Sequence, residues 1–366
     1  MTTAGQPVER DPASLLARMR EEISFICENA TSVWDQCLPQ AEALSERPSA
    51  LVLTGCGDSY YAGLAVRPLL EDLTGLPVLV WPAMEVVAVP SALLSRDALL
   101  VGVSVSGKVG RTIEAVSAHA ARGGRTAAVT ASADSRLAAT AHAAVVTGVT
   151  GTPGPVPGTS TYVASLLGLM SIGVALAQPG SAEDVVRHIA HALRLLPDTV
   201  APAERFAADV AVGLKEPFFV VGTGADAGTA HYAVAKFLEA AGLVGVPQDL
   251  EEWAHEQYFA TDESRTLLMS VTDERLVERA RQVAAMARSV GGRVAVVGLT
   301  TPENTADVAM TIPPVGATTA PLLAWLPFAL AALHFARANS RYPFGTNRSD
   351  RMSIADRSIY VPASPA

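Results

Sequence analysis

Ser104-Val105-Ser106-Gly107-Lys108, with Thr112 close behind, is the first of three groups whose residue types could do chemistry. It falls where an apolar, strand-like run ends and a helical pattern begins. A helix start offers unpaired backbone N–H groups and a partial positive charge, which suit a phosphate. The serines add donors, Gly107 lets the backbone come close, and Lys108 adds a full charge. An ordinary capped turn would read the same way, because serine is a common N-cap. The second group is Gly55-Cys56-Gly57-Asp58-Ser59-Tyr60-Tyr61-Ala62-Gly63, again between a strand and a helix. Its glycine spacing differs from the dinucleotide pattern. Gly222, Gly224 and Gly228 come closer, but no acidic residue closes the following strand, since Glu239 falls mid-helix. A nicotinamide enzyme is therefore disfavoured, and no cofactor or metal is expected. Cys56 has no assignable His or Asp partner and reads as a buried, inert thiol.

The third group is Lys236-Phe237-Leu238-Glu239 with His255. Lys236 and Glu239 are three apart on a predicted helix and share a face. Phe237 and Leu238 flank the carboxylate and could dehydrate it. A desolvated glutamate has a raised pKa and can act as a general base near neutral pH. A solvated ion pair on a surface helix beside a structural histidine carries the same signature.

These groups need elements to hold them. Over residues 13–46, Leu15, Leu16, Met19, Ile23, Ile26 and Cys27 recur at helical spacing. Strands are predicted at Leu51–Thr54, Val78–Trp81, Leu99–Val103 and Arg125–Thr130, with helices from the glycine loop to about Leu73 and from Gly110 to Ala121. Strand, loop and helix at this spacing mean βαβ units on a parallel sheet. The pattern returns downstream: strands at Phe218–Val221, Thr266–Met269 and Arg293–Val297, helices from Asp226 to about Ala241 and on to about Val290. Three landmarks keep one offset: 224 − 57 = 167, 270 − 104 = 166, 293 − 125 = 168. The chain reads as a duplicated unit. Gly148–Gly158 is a loop rich in Gly, Pro and Thr, followed by helical stretches at about 160–177 and 182–206. The tail after about residue 340 is polar and irregular, either frayed or folded across a site.

Composition bounds the function. The 366 residues include 49% hydrophobic and 17% charged, enough for a full core. Net charge is 27 − 36 = −9, so a nucleic-acid partner is not expected. The longest apolar stretches, Val163–Ala177 and Leu322–Ala336, fall short of the roughly 18–20 residues of a membrane span. They read as buried helices, and no membrane partner is expected. No signal sequence is evident, and three cysteines make no disulfide framework. The expectation is a cytoplasmic protein.

The motifs resemble those of the sugar isomerase (SIS) domain family. The resemblance is to double-SIS proteins related to the isomerase half of glucosamine-6-phosphate synthase and to fructosamine-6-phosphate deglycases. GCGDSYYAG is similar to the family's first glycine loop, SVSGKVGRT to its phosphate loop and GPVPGTSTY to the segment that closes over the sugar. Lys236, Glu239 and the sixteen-residue step to His255 match its catalytic spacing.

The resemblance implies an α/β fold of two tandem SIS domains, each a parallel sheet flanked by helices in a flavodoxin-like three-layer sandwich. The expected division is a helical segment at 1–45, SIS domains at 46–178 and 179–340, and a tail at 341–366. Ser59, Ser104, Ser106, Gly107 and Thr112 would hold a phosphate, with Asp58 and Lys108 beside it. Pro157, Gly158, Thr159 and Ser160 would line the sugar. Glu239 would move a proton between C1 and C2, Lys236 would position it, and His255 would come from a partner subunit.

There are departures from the family pattern. Asp58 and Val105 replace a neutral polar residue and a glutamine, and Val109 replaces a threonine. An aspartate beside a phosphate needs a partner, for which Lys108 is available. The synthase's C-terminal lysine, which holds the ketose as a Schiff base, has no counterpart. The tail has no lysine; Arg348, Arg351 and Arg357 are cationic, but arginine does not form that adduct. No glutaminase unit is evident, so the complete synthase is not expected. The expected function is an enzyme acting on an amino sugar phosphate or ketosamine phosphate: a deglycase, a deaminase or an aldose–ketose isomerase. A non-catalytic sugar-phosphate regulator is the alternative. It would not need the Glu239–His255 pair. A homodimer with shared sites is expected, because Trp253, Tyr258 and Phe259 interleave with Asp249, Glu251, Glu252 and Glu256 around His255.

Overall fold

The computed structural model describes residues 11–44, 46–88, 94–299, 305–348 and 351–360. Helix α1 (Pro12–Ala41) comes first. The first half then runs β1 (Leu51–Gly55), α2 (Asp58–Thr74), β2 (Val78–Pro82), α3 (Ala83–Ala88), β3 (Leu99–Val103), α4 (Gly110–Ala121), β4 (Arg125–Thr130), α5 (Arg136–Thr140) and β5 (Ala143–Val146). Helices α6 (Ser160–Ala175) and α7 (Ala182–Ala211) lead to the second half. That half runs β6 (Phe218–Val221), α8 (Ala225–Ala241), β7 (Gly245–Gln248), α9 (Leu250–His255), β8 (Thr266–Val271), α10 (Val277–Ser289), β9 (Arg293–Gly298), β10 (Val308–Thr311) and α11 (Pro321–Ala338). A short 3-10 turn (Pro343–Gly345) and helix α12 (Arg351–Tyr360) follow.

Both sheets are parallel throughout. Their orders are β2-β1-β3-β4-β5 and β10-β9-β8-β6-β7. Counted within its own half, each reads second, first, third, fourth, fifth, so the repeated offsets reflect one topology used twice. The central strands β1, β3 and β8 are wholly buried apolar runs, as parallel strands covered on both faces require. In this order the connections diverge between β1 and β3, and again between β6 and β8. Such switch points open a crevice at the carboxyl ends of the strands.

Helices cover both faces of each sheet. On the outer faces, Val52, Leu100 and Ala128 pack with Val116 and Leu137, and Phe219, Leu267 and Met269 pack with Trp253 and Val283. Between the sheets lies one shared core that joins Leu53, Val101 and Val129 to Leu268 and Val297 through the inner helices. Helix α2 packs on α8 and α6, while α11 packs on α7 and α8. At the α2–α8 crossing a Cβ on residue 228 would lie 2.4 Å from the backbone nitrogen of Ala65, so only glycine fits. Helix α11 is 18 residues long with mean hydropathy 1.3, longer and closer to a membrane span than its apolar stretch predicts. It is 83% buried within this core.

Strands β5, β7 and β10 and helices α3 and α5 escape the sequence reading. The predicted irregular tail also contains α12.

Candidate active site

The β1/β3 crevice receives two helix starts. Gly57 precedes α2 with a positive φ of 57°, and neither α2 nor α4 has a side chain capping its first turn. The first-turn N–H groups there have no side-chain acceptor, which is the arrangement an anion would complete. The Ser104 hydroxyl is buried and has no hydrogen-bond partner. Ser106 and Lys108 are exposed, and the Lys108 N–H donates to the Ser106 hydroxyl at 3.2 Å. Gly107 is required twice over: its φ is 58°, and a Cβ would fall 2.4 Å from that of Ser135. Ser59 lies in the first turn of α2. Thr112 is fully buried, with its hydroxyl 3.9 Å from the Cys56 sulfur. Cys56 itself is exposed, not the buried thiol expected from the sequence, because it sits in the turn that leaves β1 for the crevice.

The centre of the site is Lys236, a fully buried lysine on α8. Its ammonium donates to Asp58 Oδ2 at 2.7 Å, to the Gly158 carbonyl at 3.0 Å and to Glu239 Oε2. Asp58 is thus partnered by Lys236, 178 residues away, and not by Lys108 as its neighbourhood in sequence suggests. Its second oxygen, Oδ1, is buried without a partner. Burial alone would lower the pKa of Lys236, but Asp58 and Glu239 outweigh it and raise the pKa, so the ammonium stays charged. Burial raises Asp58, against the pull of Lys236. Burial pushes Glu239 up to about 7, again against Lys236, with Asp58 and Glu22 adding repulsion. One ammonium facing two carboxylates leaves the cluster an excess negative charge. Glu239 is thereby poised to take or give a proton near neutral pH. Of its two flanking side chains, only Phe237 is buried, and Leu238 is 53% exposed. Desolvation of Glu239 comes from the fold around it more than from its sequence neighbours.

Gly158, Thr159 and Ser160 meet this cluster through an acid the sequence reading missed. Glu22 on α1 is 5% exposed. It accepts hydrogen bonds from the N–H groups of Thr152 at 2.5 Å and Thr159 at 3.0 Å and from the Ser160 hydroxyl at 3.1 Å. The Thr159 and Ser160 hydroxyls therefore point to Glu22, and the loop is clamped between Glu22 and Lys236. A signal was available: Glu22 interrupts the apolar stripe of Met19, Ile23 and Ile26. Tyr162 and Tyr232, stacked with ring centres 3.9 Å apart, seal the interior side, and Lys236 lies 5.1 Å over the Tyr232 ring.

His255 stands apart from this cluster. It ends α9, its side chain is 67% exposed, and its polar partner is Glu251 at 3.2 Å. Of the aromatics expected at an interface around it, Phe259 is 81% exposed. Trp253 is instead a core residue, packed edge-on against Phe219 and Tyr258.

On the other side of Glu239 lies a cavity of about 1000 Å³. It is bounded by the end of α8, by residues between Asn339 and Arg348 and by Arg351. The tail therefore does lie across the carboxylate. The Arg357 side chain lies outside the described residues. Among the described residues no cluster suited to a metal ion is present.

The SIS domain family matches residues 44–175. That match covers 132 of the 366 residues and falls in the first half of the chain. The two halves have the α/β fold of two tandem SIS domains. Glutamine–fructose-6-phosphate aminotransferase (isomerizing) from Gloeobacter violaceus is 26% identical over 297 residues, covering 78% of this chain and 48% of that protein. Its counterpart from Pseudomonas aeruginosa is 26% identical over 314 residues, covering 81% and 50%. The chain thus spans about half the length of the curated relatives it matches. Among solved structures, the C-terminal domain of glucosamine-fructose-6-phosphate aminotransferase from Francisella tularensis superposes with a TM-score of 0.77 at 16% identity, covering 88% of this chain and 96% of that one. Glucosamine-6-phosphate deaminase from Thermotoga maritima gives 0.73 at 16% identity, covering 89% and 96%.

Proposed function

We propose that this SIS protein is an enzyme that moves a proton between C1 and C2 of an amino sugar phosphate or ketosamine phosphate. The observation that carries this is Glu239, held on a buried lysine with its pKa raised to about 7 beside an uncapped anion cradle. The phosphate sits on Ser59, Ser104, Ser106 and the helix starts of α2 and α4, with Lys108 at the rim. Gly158–Ser160 lies over the sugar. Glu239 takes the proton from C1 of a ketosamine to give the enolamine, and the proton returns at C2. The resulting C1 imine adds water and releases the amine and an aldose phosphate. With an aldose–ketose pair the same transfer is an isomerisation. A ligand-sensing protein would have no need to hold a carboxylate half-ionised in this way.

Replacing Glu239 with Gln tests the assignment. Turnover on phosphorylated ketosamines and amino sugars should fall by roughly 10²-fold or more, with binding nearly intact, because a base acts mainly in the transition state. Near-normal kcat in the purified variant would remove Glu239 from the mechanism.

His255 acts as ring-opening group or general acid from the partner subunit of a cytoplasmic homodimer. Its exposure, with Glu251 of its own helix as polar partner, supports this reading. Mixing inactive Glu239→Gln and His255→Ala subunits should restore activity on subunit exchange. Mixed dimers, verified by mass, that stay inactive would place both residues in one chain.

A further inference from the structure

Gly158 and Thr159 share one peptide group, and it is bonded on both sides. Its carbonyl, that of Gly158, accepts from the Lys236 ammonium at 3.0 Å. Its N–H, that of Thr159, donates to Glu22 Oε2 at 3.0 Å. A trans peptide is planar, with its C=O and N–H directed oppositely, so Glu22 and Lys236 lie on opposite sides of one rigid unit. The same ammonium donates to Glu239 Oε2. The result is a single row of hydrogen bonds through Glu22, the peptide, Lys236 and Glu239.

The other contacts of Glu22 fix the segment that carries this peptide. Oε2 also takes the Ser160 N–H at 3.4 Å and its hydroxyl at 3.1 Å, and Oε1 takes the Thr152 N–H at 2.5 Å. Thr159 gives α6 no side-chain cap, so a carboxylate on α1 caps it instead. A cap needs only Oε2, whereas the bond from Oε1 to Thr152 holds the far end of the segment as well. A negative group at the end of such a row polarises the peptide and strengthens its carbonyl as an acceptor. The ammonium is then shared among that carbonyl, Asp58 and Glu239. Without Glu22, more of its charge falls to Glu239, and a carboxylate gripped harder by a cation is a weaker base. The charge of Glu22 also repels Glu239 directly, in the same sense. The other groups facing Glu239 are Asp58 and Tyr61 from α2, Tyr232 from α8 and, across the cavity, Arg341, Arg348 and Arg351.

We propose that Glu22 is a positioning residue for the proton transfer. Through the Gly158–Thr159 peptide it holds the segment over the sugar and draws the Lys236 ammonium off Glu239. This rests on the reading of Glu239 as the base.

Glu22→Gln tests it, since an amide keeps the shape but has one acceptor oxygen, not two. Three readouts are compared with the unaltered protein: turnover of fructosamine 6-phosphate and glucosamine 6-phosphate across pH, calorimetric binding of inorganic phosphate, and folded fraction by circular dichroism. The kcat per folded chain should fall by roughly tenfold or more. The acid limb of kcat/KM should move to lower pH. Phosphate affinity should not change, because the cradle is built from other residues. Glu22→Asp, which keeps the charge, should leave the limb nearer its original place. A limb that does not move, or a kcat unchanged per folded chain, would reduce Glu22 to a helix cap. Weaker phosphate binding would overturn the inference too, by making Glu22 a support of the cradle. If Glu22→Gln does not fold, the Asp variant carries the test. One carbon short, it cannot reach both Thr152 and Thr159, so kcat should still fall, and an unchanged kcat would refute the role. If the unaltered protein turns over neither sugar, the base reading fails and this inference falls with it. A Glu22→Gln enzyme with unaltered kcat and limb sinks this inference alone.

Discussion

The two halves build the same crevice and fill it differently. In the first, Ser59, Ser104 and Ser106 flank uncapped helix starts, and the Ser104 hydroxyl is unpartnered. In the second, the corresponding residues are Asp226, Ser270 and Thr272, at offsets of 226 − 59 = 167, 270 − 104 = 166 and 272 − 106 = 166. There Asp226, 1% exposed, accepts from the Ser270 hydroxyl at 2.6 Å, from the Thr272 N–H at 2.7 Å and from the Thr272 hydroxyl at 3.0 Å. Burial raises the Asp226 pKa and these bonds lower it. Glu71, Asp72 and Asp273 line the same crevice, and Arg275 there is tied to Asp273. The second cradle thus contains its own anion, and the first leaves the equivalent donors unfilled. Asp226 shows within this molecule how the loop grips a carboxylate.

The sharpest way to break the contrast is Ser59→Asp, which supplies the first cradle with the carboxylate that the second one has. Phosphosugar affinity should drop by more than roughly 100-fold, since the planted carboxylate takes the donors and repels the ligand. The fold should persist, as judged by circular dichroism. Undiminished affinity would mean that the phosphate binds elsewhere. The reverse change, Asp226→Ala, leaves Ser270 and Thr272 buried without their acceptor. Stability should fall by about 1–3 kcal/mol in denaturant titration, with kcat on the first-half site largely unchanged. An unaltered midpoint would show that the second cradle is not a structural device.

The smallest effect concerns pH. Glu239 must be ionised to act as base, so kcat/KM should fall as pH drops through about 7. Asp58→Asn removes a neighbouring negative charge that raises the Glu239 pKa, which should move this acid limb to lower pH. A limb that stays in place would uncouple the two carboxylates.

What the sequence discloses follows the physics of each element. Interior strands such as Leu99–Val103 are continuous apolar runs and are readable. The missed strands β5, β7 and β10 all lie at sheet edges, where burial is partial and the pattern weak. GVPQ even carries a proline, which only an edge tolerates well. Lys236 and Glu239 are legible because their spacing is local. The Asp58–Lys236 bond and the Glu22 clamp join residues more than a hundred positions apart, and no periodicity encodes them. Trp253 misleads for the opposite reason. Its charged neighbours mark the outer face of a six-residue helix whose inner face is core.

The missing side chain of Gly228 has a consequence for what the protein can measure. Helix α2 begins at the anion cradle, helix α8 carries Glu239, and the two touch backbone to backbone at Ala65. On the proposed function, the span from a phosphate in that cradle to Glu239 is therefore a fixed gauge, set by an absent methyl group. A sugar chain one carbon shorter or longer, anchored at the same end, would bring the wrong carbon to that mark.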